Sequence, residues 1–234
     1  MAIEHSYLEA RNLIDDMLKS MFRNILNNHQ DLLDRVKEHF PHNDIIFPDE
    51  TVVIKFRDGI NMLKESRWED SDEGEELDEN EDLSRRAELR LGELVKEKYN
   101  TDYYILGKYS ILPSSSHLLL SLINRPSDQF PLAVRPFYTM TNPENPKLSN
   151  SFDIFLRGEE ILSGGQRLHS AKELLARLDA GGIDPASMTN YVDAFKWGMP
   201  PHAGGGIGMD FMFNWITYFH ILQDSNDSSC FSSV

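Results

Sequence analysis

The stretch Ser151-Phe-Asp-Ile-Phe-Leu-Arg-Gly-Glu-Glu-Ile-Leu-Ser-Gly-Gly-Gln-Arg-Leu-His169 decides the fold class and carries a dense set of chemical groups. Its first half reads as a strand. Arg157-Gly158 suits a tight two-residue turn, and Glu159 to Gly164 runs back as a second strand. Side chains alternate faces along a strand. A turn at Arg157-Gly158 therefore sets Phe155 opposite Glu160 and Asp153 opposite Leu162. On that register Asp153, Phe155, Glu160 and Leu162 share one face. Two carboxylates stand on one side of a sheet, with Arg167 just beyond. Such a pair suits Mg²⁺ held against phosphates, because Mg²⁺ takes one or two carboxylates and leaves room for phosphate oxygens. On spacing alone, a charged hairpin facing water is the competing reading.

Outward from the hairpin, helices and short strands interleave. Ser170-x-x-Glu173 is a capping box for a helix to about Ala180, stopped by Gly181-Gly182. Asp184-Pro185 starts another, to about Trp197. Upstream, Tyr103 to Leu106 and Leu132 to Tyr138 read as strands, and Thr51 to Phe56 is β-branched and strand-like. Ser84 caps a helix through about Tyr99, with apolar positions at Ala87, Leu91, Leu94 and Val95. Asp58 is placed to cap a short helix through Glu65. A further helix near Gln30 to Phe40 ends at Pro41. Ser6-x-x-Glu9 opens the first helix. Its stripe of Leu13, Ile14, Met17, Leu18, Met21, Phe22, Ile25 and Leu26 reads as core. The absence of regular βαβ alternation argues for an α+β fold with a mostly antiparallel sheet flanked by helices.

Composition sets the outer bounds. A chain of 234 residues, 40% hydrophobic and 26% charged, is long enough for one sizeable core. No apolar run approaches the roughly 20 residues of a membrane span, and no basic-then-apolar leader opens the chain. The one cysteine, Cys230, leaves no intramolecular disulfide or cysteine metal cluster. A reducing, cytosolic setting follows. The net charge of −15 argues against strong nucleic-acid binding by this chain alone. Much of that charge lies in an acidic loop, 68–83, which reads as a solvated segment.

Three more stretches accompany the hairpin in order. They are Val95-Lys-Glu-Lys-Tyr-Asn-Thr-Asp-Tyr-Tyr-Ile-Leu106, Pro131-Leu-Ala-Val-Arg-Pro-Phe-Tyr-Thr-Met140 and Pro200-Pro-His-Ala-Gly-Gly-Gly-Ile-Gly208. With Arg157 to His169 they closely resemble the aspartate-tRNA ligases (aspartyl-tRNA synthetases) in their eukaryotic cytosolic form. The resemblance covers residues 1–210 with one interruption and implies part of a class II synthetase catalytic domain. It fits a synthetase for aspartate better than one for asparagine or lysine. The implied activity joins aspartate to its tRNA through an aspartyl-adenylate, with ATP and Mg²⁺, in a homodimer.

The resemblance also assigns residues. Asp153 and Glu160 match the Mg²⁺ carboxylates, with Glu160 also facing ATP. Ser163 and Arg167 match the aspartate-binding positions. An Arg fork donates two parallel hydrogen bonds to a carboxylate, whereas an amide nitrogen cannot accept them. Gly208, Met209 and Asp210 match the ATP-binding start of the third class II motif, whose glycine run lets backbone approach a nucleotide. Glu159 and Gln166 read as structural, and His169 and His202 are not assigned as ligands.

Two segments depart from the family pattern. Residues 110–130 form an insert carrying the apolar run Leu118 to Ile123, and read as a retained intron or faulty gene model. After Asp210, Phe211 stands where the family places an adenine-stacking arginine, and residues 211–234 form a divergent tail. Met1-Ala-Ile-Glu4 resembles the end of the second motif, so the anticodon-binding domain and the first two motifs are expected upstream. The expectation for this chain alone is little or no ligation. A non-catalytic binding or regulatory module is the alternative.

Overall fold

The computed structural model describes residues 1–39, 41–68, 81–107, 130–132, 135–143 and 145–208. Phe40, most of the acidic loop and the insert, and the tail from Met209 lie outside the described residues. The elements in chain order are helices α1 (Leu8–Asn28) and α2 (Gln30–His39), strand β1 (Val52–Ile54), and helices α3 (Phe56–Glu65) and α4 (Arg85–Tyr99). Strands β2 (Tyr103–Gly107), β3 (Ser151–Leu156) and β4 (Glu159–Arg167) follow. Helix α5 (Ala171–Ala180), a 3₁₀ turn (Pro185–Met188), helix α6 (Thr189–Lys196) and strand β5 (His202–Ile207) complete the order.

The five strands form one sheet in sequence order, and every pair except β1–β2 is antiparallel. The parallel pair requires a crossover, which α3 and α4 supply on one face. On that face Ile60, Leu63, Ala87, Leu91 and Val95 pack against Tyr104, Leu106 and Phe155. On the opposite face Leu18 and Phe22 of α1 pack against Tyr103, Ile105, Phe152, Ile154 and Leu162. A smaller cluster joins α5 to α6 through Leu174, Leu178, Val192 and Phe195.

Local chemistry sets most boundaries. The Ser84 hydroxyl accepts from the Ala87 amide at 3.1 Å, and Asn100 closes α4 in the left-handed conformation. The Ser170 and Asp184 side chains accept from first-turn amides as expected, though the segment after Asp184 begins as a 3₁₀ turn. Glu9 accepts from the amides of Glu4, His5 and Ser6. Helix α3 begins two residues before Asp58, which caps nothing, because Phe56 already belongs to the helix and is buried.

Two further expectations fail. The stripe of α1 is only partly core: Leu13, Met17 and Met21 are 58%, 42% and 44% exposed. The sheet covers one side of the helix, and the stems of Arg11 and Lys19 occupy part of that side instead. The described part of Leu132 to Tyr138 is no strand. Its partners are the neighbouring loop and the end of β4, through Leu132 N–H to Lys147 O at 2.8 Å and Leu168 N–H to Tyr138 O at 2.8 Å. Pro136 has no amide to extend a ladder.

Candidate functional site

The hairpin turns at Arg157-Gly158, with φ of 55° and 79°, the positive pair of a two-residue hairpin turn. Phe155 pairs with Glu160 as the alternation predicts, but Asp153 pairs with Ser163, not with Leu162. The register shifts by one because Ile161 is an extra, unpaired residue in β4. Ile161 and Leu162 consequently both enter the core beneath α1, while Glu160 and Ser163 emerge together on the opposite face. Strict alternation separates positions 160 and 163. The bulge unites them, and Ser163, Gly165 and Arg167 then line one face by ordinary period-two spacing.

Asp153 is the centre of a buried cluster. Its side chain is 2% exposed and accepts from the Arg135 guanidinium through both oxygens. The Ser163 hydroxyl donates to Asp153 at 2.7 Å, and Arg135 donates to that same hydroxyl at 2.9 Å. The guanidinium lies 3.9 Å over the Phe130 ring, which itself packs on Phe56. Burial works against the Arg135 charge, but Asp153 beside it holds the group above its ordinary range.

Beyond this cluster the site is short of positive charge. Burial, then Asp153, push Glu160 up to about 7, while Arg135 pulls the other way. Burial, then Glu160, push Glu88 on α4 up to about 8, with Asp82 adding to the effect. Glu159 pairs with Arg85 at 2.9 Å. Burial is the first cause of both upward shifts, and a cation at Glu160 would offset them, so the donor set fits Mg²⁺ there. The two oxygens of Asp153 are already taken by Arg135 and Ser163, so Asp153 fits as a support behind Glu160. Among the described residues no three acidic, His or Cys side chains form a metal cage.

Next to Ser163 lies a small cavity of about 70 Å³, lined by Arg135, Tyr138, Ser163, Gln166, Arg167 and the glycines of β5, among others. The Arg167 guanidinium lies 5.1 Å over the Tyr138 ring. Ser163 pairs with Gly206, and Gly165 with Gly204. A Cβ on Gly204 or Gly206 meets nothing within 4 Å, whereas one on Gly205 lands 2.9 Å from Leu162. The glycine run thus keeps two positions of the pocket wall at backbone height. Gly208 follows β5 and donates its amide to Ile161 O at 3.1 Å. His202 contacts the Pro200 carbonyl through Nδ1 at 3.0 Å.

The structure therefore brings Asp153, Glu160, Ser163, Arg167 and the glycine strand to one face. Met209 and Asp210 lie outside the described residues, as does Phe211. Sequence reading did not single out Arg135, Tyr138, Phe130 or Glu88. Arg135 and Tyr138 sit within the quoted stretch Pro131 to Met140, so a signal existed. Glu88 carried none, because its approach to Glu160 spans two elements far apart in the chain.

A family model described as tRNA synthetases class II (D, K and N) matches residues 1–224. Over 210 residues the chain is 41% identical to "Aspartate--tRNA ligase, cytoplasmic" of Rattus norvegicus, covering 90% of this chain and 36% of that protein. The Caenorhabditis elegans protein of the same name is 40% identical, again over 90% of this chain and 34% of its own length. The chain thus spans about a third of the curated relatives it matches. Among solved structures, the aspartyl tRNA synthetase from Entamoeba histolytica superposes with a TM-score of 0.78 at 33% identity, over 94% of this chain and 39% of that one. A putative aspartyl-tRNA synthetase from Leishmania major superposes at 0.76 and 25% identity, over 94% and 44%.

Proposed function

The chain belongs to the class II tRNA synthetases of the D, K and N group, and from that premise we propose that its pocket holds aspartate for ligation to tRNA through aspartyl-adenylate. The observation that carries the choice of aspartate is Arg167 at the wall of the pocket, beside Ser163 and Gln166. Its planar fork suits a carboxylate and has no acceptor to offer an amide. Tyr138 beneath the guanidinium limits its freedom to turn away.

The remaining residues take roles around that contact. Arg135 holds Asp153 and Ser163 in one orientation, so the Ser163 hydroxyl is fixed at the rim. Gly204 and Gly206 leave room for an adenylate to lie against backbone. Glu160 and Asp153 form the acidic end, where Mg²⁺ would be held. Held there, Mg²⁺ would supply positive charge against the phosphates of ATP. Gly208, Met209 and Asp210 complete the ATP side of this reading, a cytoplasmic setting follows the names of the same relatives, and pairing of two copies is what the family resemblance implies.

Calorimetry of the purified chain with a non-hydrolysable aspartyl-adenylate analogue tests the reading. Binding that falls at least tenfold in Arg167→Ala, with the asparaginyl analogue bound more weakly than the aspartyl one, supports it. Equal binding of the two analogues, or no heat from either, overturns it.

A further inference from the structure

Arg167 ends β4 between two ring-bearing neighbours. The Tyr138 ring lies 5.1 Å from its guanidinium, and His202 is its partner across the β4–β5 ladder. A run of side-chain rings joins these two neighbours, leaving the sheet at one and returning at the other. Tyr138 meets Phe137 edge-on at 5.4 Å, and Phe137 meets Tyr191 edge-on at 6.4 Å. Tyr191 tilts against Phe195 at 4.9 Å, and Phe195 tilts against His202 at 6.2 Å. Each step falls within the roughly 4.5–7 Å over which tilted and edge-on rings attract one another.

The middle links belong to α6. Tyr191 and Phe195 are four residues apart and therefore share one face of that helix. Phe195 is buried with Leu174, Leu178 and Val192, and Phe137 and Tyr191 pack against the same cluster. The backbone around Tyr138 is tied to β4 as well, since Thr139 bridges to Arg167 and the Leu168 amide donates to Tyr138 O at 2.8 Å. Tyr138 and Arg167 line the cavity beside Ser163, whereas Phe137, Tyr191 and Phe195 stand behind that lining. The helix thus reaches the pocket through the neighbours of Arg167.

We propose that Tyr191 is a positioning residue for Arg167: through Phe137 it keeps the Tyr138 ring against the guanidinium, so that α6 holds the fork toward the pocket. This inference rests on the reading that Arg167 receives the carboxylate of aspartate. An arginine stem turns about several bonds, and two parallel hydrogen bonds form only when packing fixes the plane of the fork. Without the Tyr191 ring, Phe137 loses its edge contact and Tyr138 is free to shift. The guanidinium then keeps its charge but no longer presents both donors together. The loss falls on the preference for carboxylate over amide, because the nucleotide part of the same ligand does not depend on the fork.

The test is calorimetry of the purified chain with the non-hydrolysable aspartyl- and asparaginyl-adenylate analogues. The parent is expected to prefer the aspartyl analogue, and Arg167→Ala to abolish that preference. Tyr191→Leu weakens the aspartyl analogue about tenfold and leaves the asparaginyl one nearly unchanged. Tyr191→Phe, which keeps the ring, retains the parental ratio. A parental ratio in Tyr191→Leu, or equal weakening of both analogues, overturns the inference and leaves the role of Arg167 standing. No preference in the parent, or a preference that survives Arg167→Ala, overturns the role of Arg167 and this inference with it. If Tyr191→Leu fails to fold, Phe137→Leu decides, since it breaks the same run one link nearer Tyr138.

Discussion

Asp153 and Ser163 face each other across the β3–β4 ladder and share a 2.7 Å hydrogen bond, a pairing that exists because Ile161 is one residue too many in β4. Deleting Ile161 removes the bulge and one buried side chain, yet leaves Glu160 opposite Phe155 and Ser163 opposite Asp153, so both keep their face by strict alternation. The expected outcome is a lower melting temperature, from the lost core side chain, with adenylate-analogue binding kept by the folded protein. A folded deletion variant that no longer binds the analogue contradicts this register.

Asp153 neutralises a guanidinium whose side chain is only 7% exposed. Removing one partner of such a pair strands the other charge. Asp153→Ala is expected to cost about 3–5 kcal/mol in denaturant unfolding, and Asp153→Ala with Arg135→Met to cost less than Asp153→Ala alone. Equal losses in the single and double variants contradict the pairing.

The glycines divide into two kinds. A Cβ on Gly164 lands 2.6 Å from the Phe152 ring, so Gly164→Ala should overpack the core by about 1–3 kcal/mol. A Cβ on Gly206 enters open space. Gly206→Ala is expected to keep parental stability and lose analogue affinity. Thermal melts and calorimetry on both variants check the contrast, and it fails if the two behave alike.

Stability should fall with rising pH. Glu88 and Glu160 titrate near 8 and 7 in the folded chain against an ordinary 4.5, so the folded state binds more protons between these values. Their contribution is full below about pH 4.5 and is lost as pH climbs toward 8. After screening by solvent the loss is roughly 1–2 kcal/mol. Glu88→Gln carries no charge to bury and should flatten the slope. Chemical denaturation at pH 5.5 and 8 measures it, and a parent more stable at pH 8 refutes it.

Arg167 stands over Tyr138 and not in the core, so its loss should leave folding intact. Arg167→Lys keeps the charge but not the fork, and is expected to bind the aspartyl analogue at least tenfold more weakly with an unchanged melt. Undiminished affinity in Arg167→Lys shows that charge alone suffices.

Much was legible in the sequence because its signals are local. Ser84 and Ser170 announce helix starts through hydroxyls that reach amides a few residues away. Arg157-Gly158 announces the turn because only two backbone conformations in succession need to be satisfied. The quoted motifs located Asp153, Glu160, Ser163 and Arg167. The failures share a cause. Alternation assigned Leu162 to the Asp153 face, since nothing in the order of side chains marks an unpaired residue. The stripe of α1 named Leu13, Met17 and Met21 as core, since periodicity finds an apolar side but not how much of it a sheet covers.

Residue order alone revealed most of the elements, the turn and the kinds of groups available: two carboxylates, a hydroxyl, a guanidinium and a glycine strand. Only the tertiary structure decided which of them meet. Arg135 reaches Asp153 from a separate segment, Glu88 reaches Glu160 from α4, and the bulge at Ile161 turns Glu160 and Ser163 to one side. Local signals depend on bonds within a few residues. The site depends on register and packing between segments, which are settled only when the whole sheet closes on its helices.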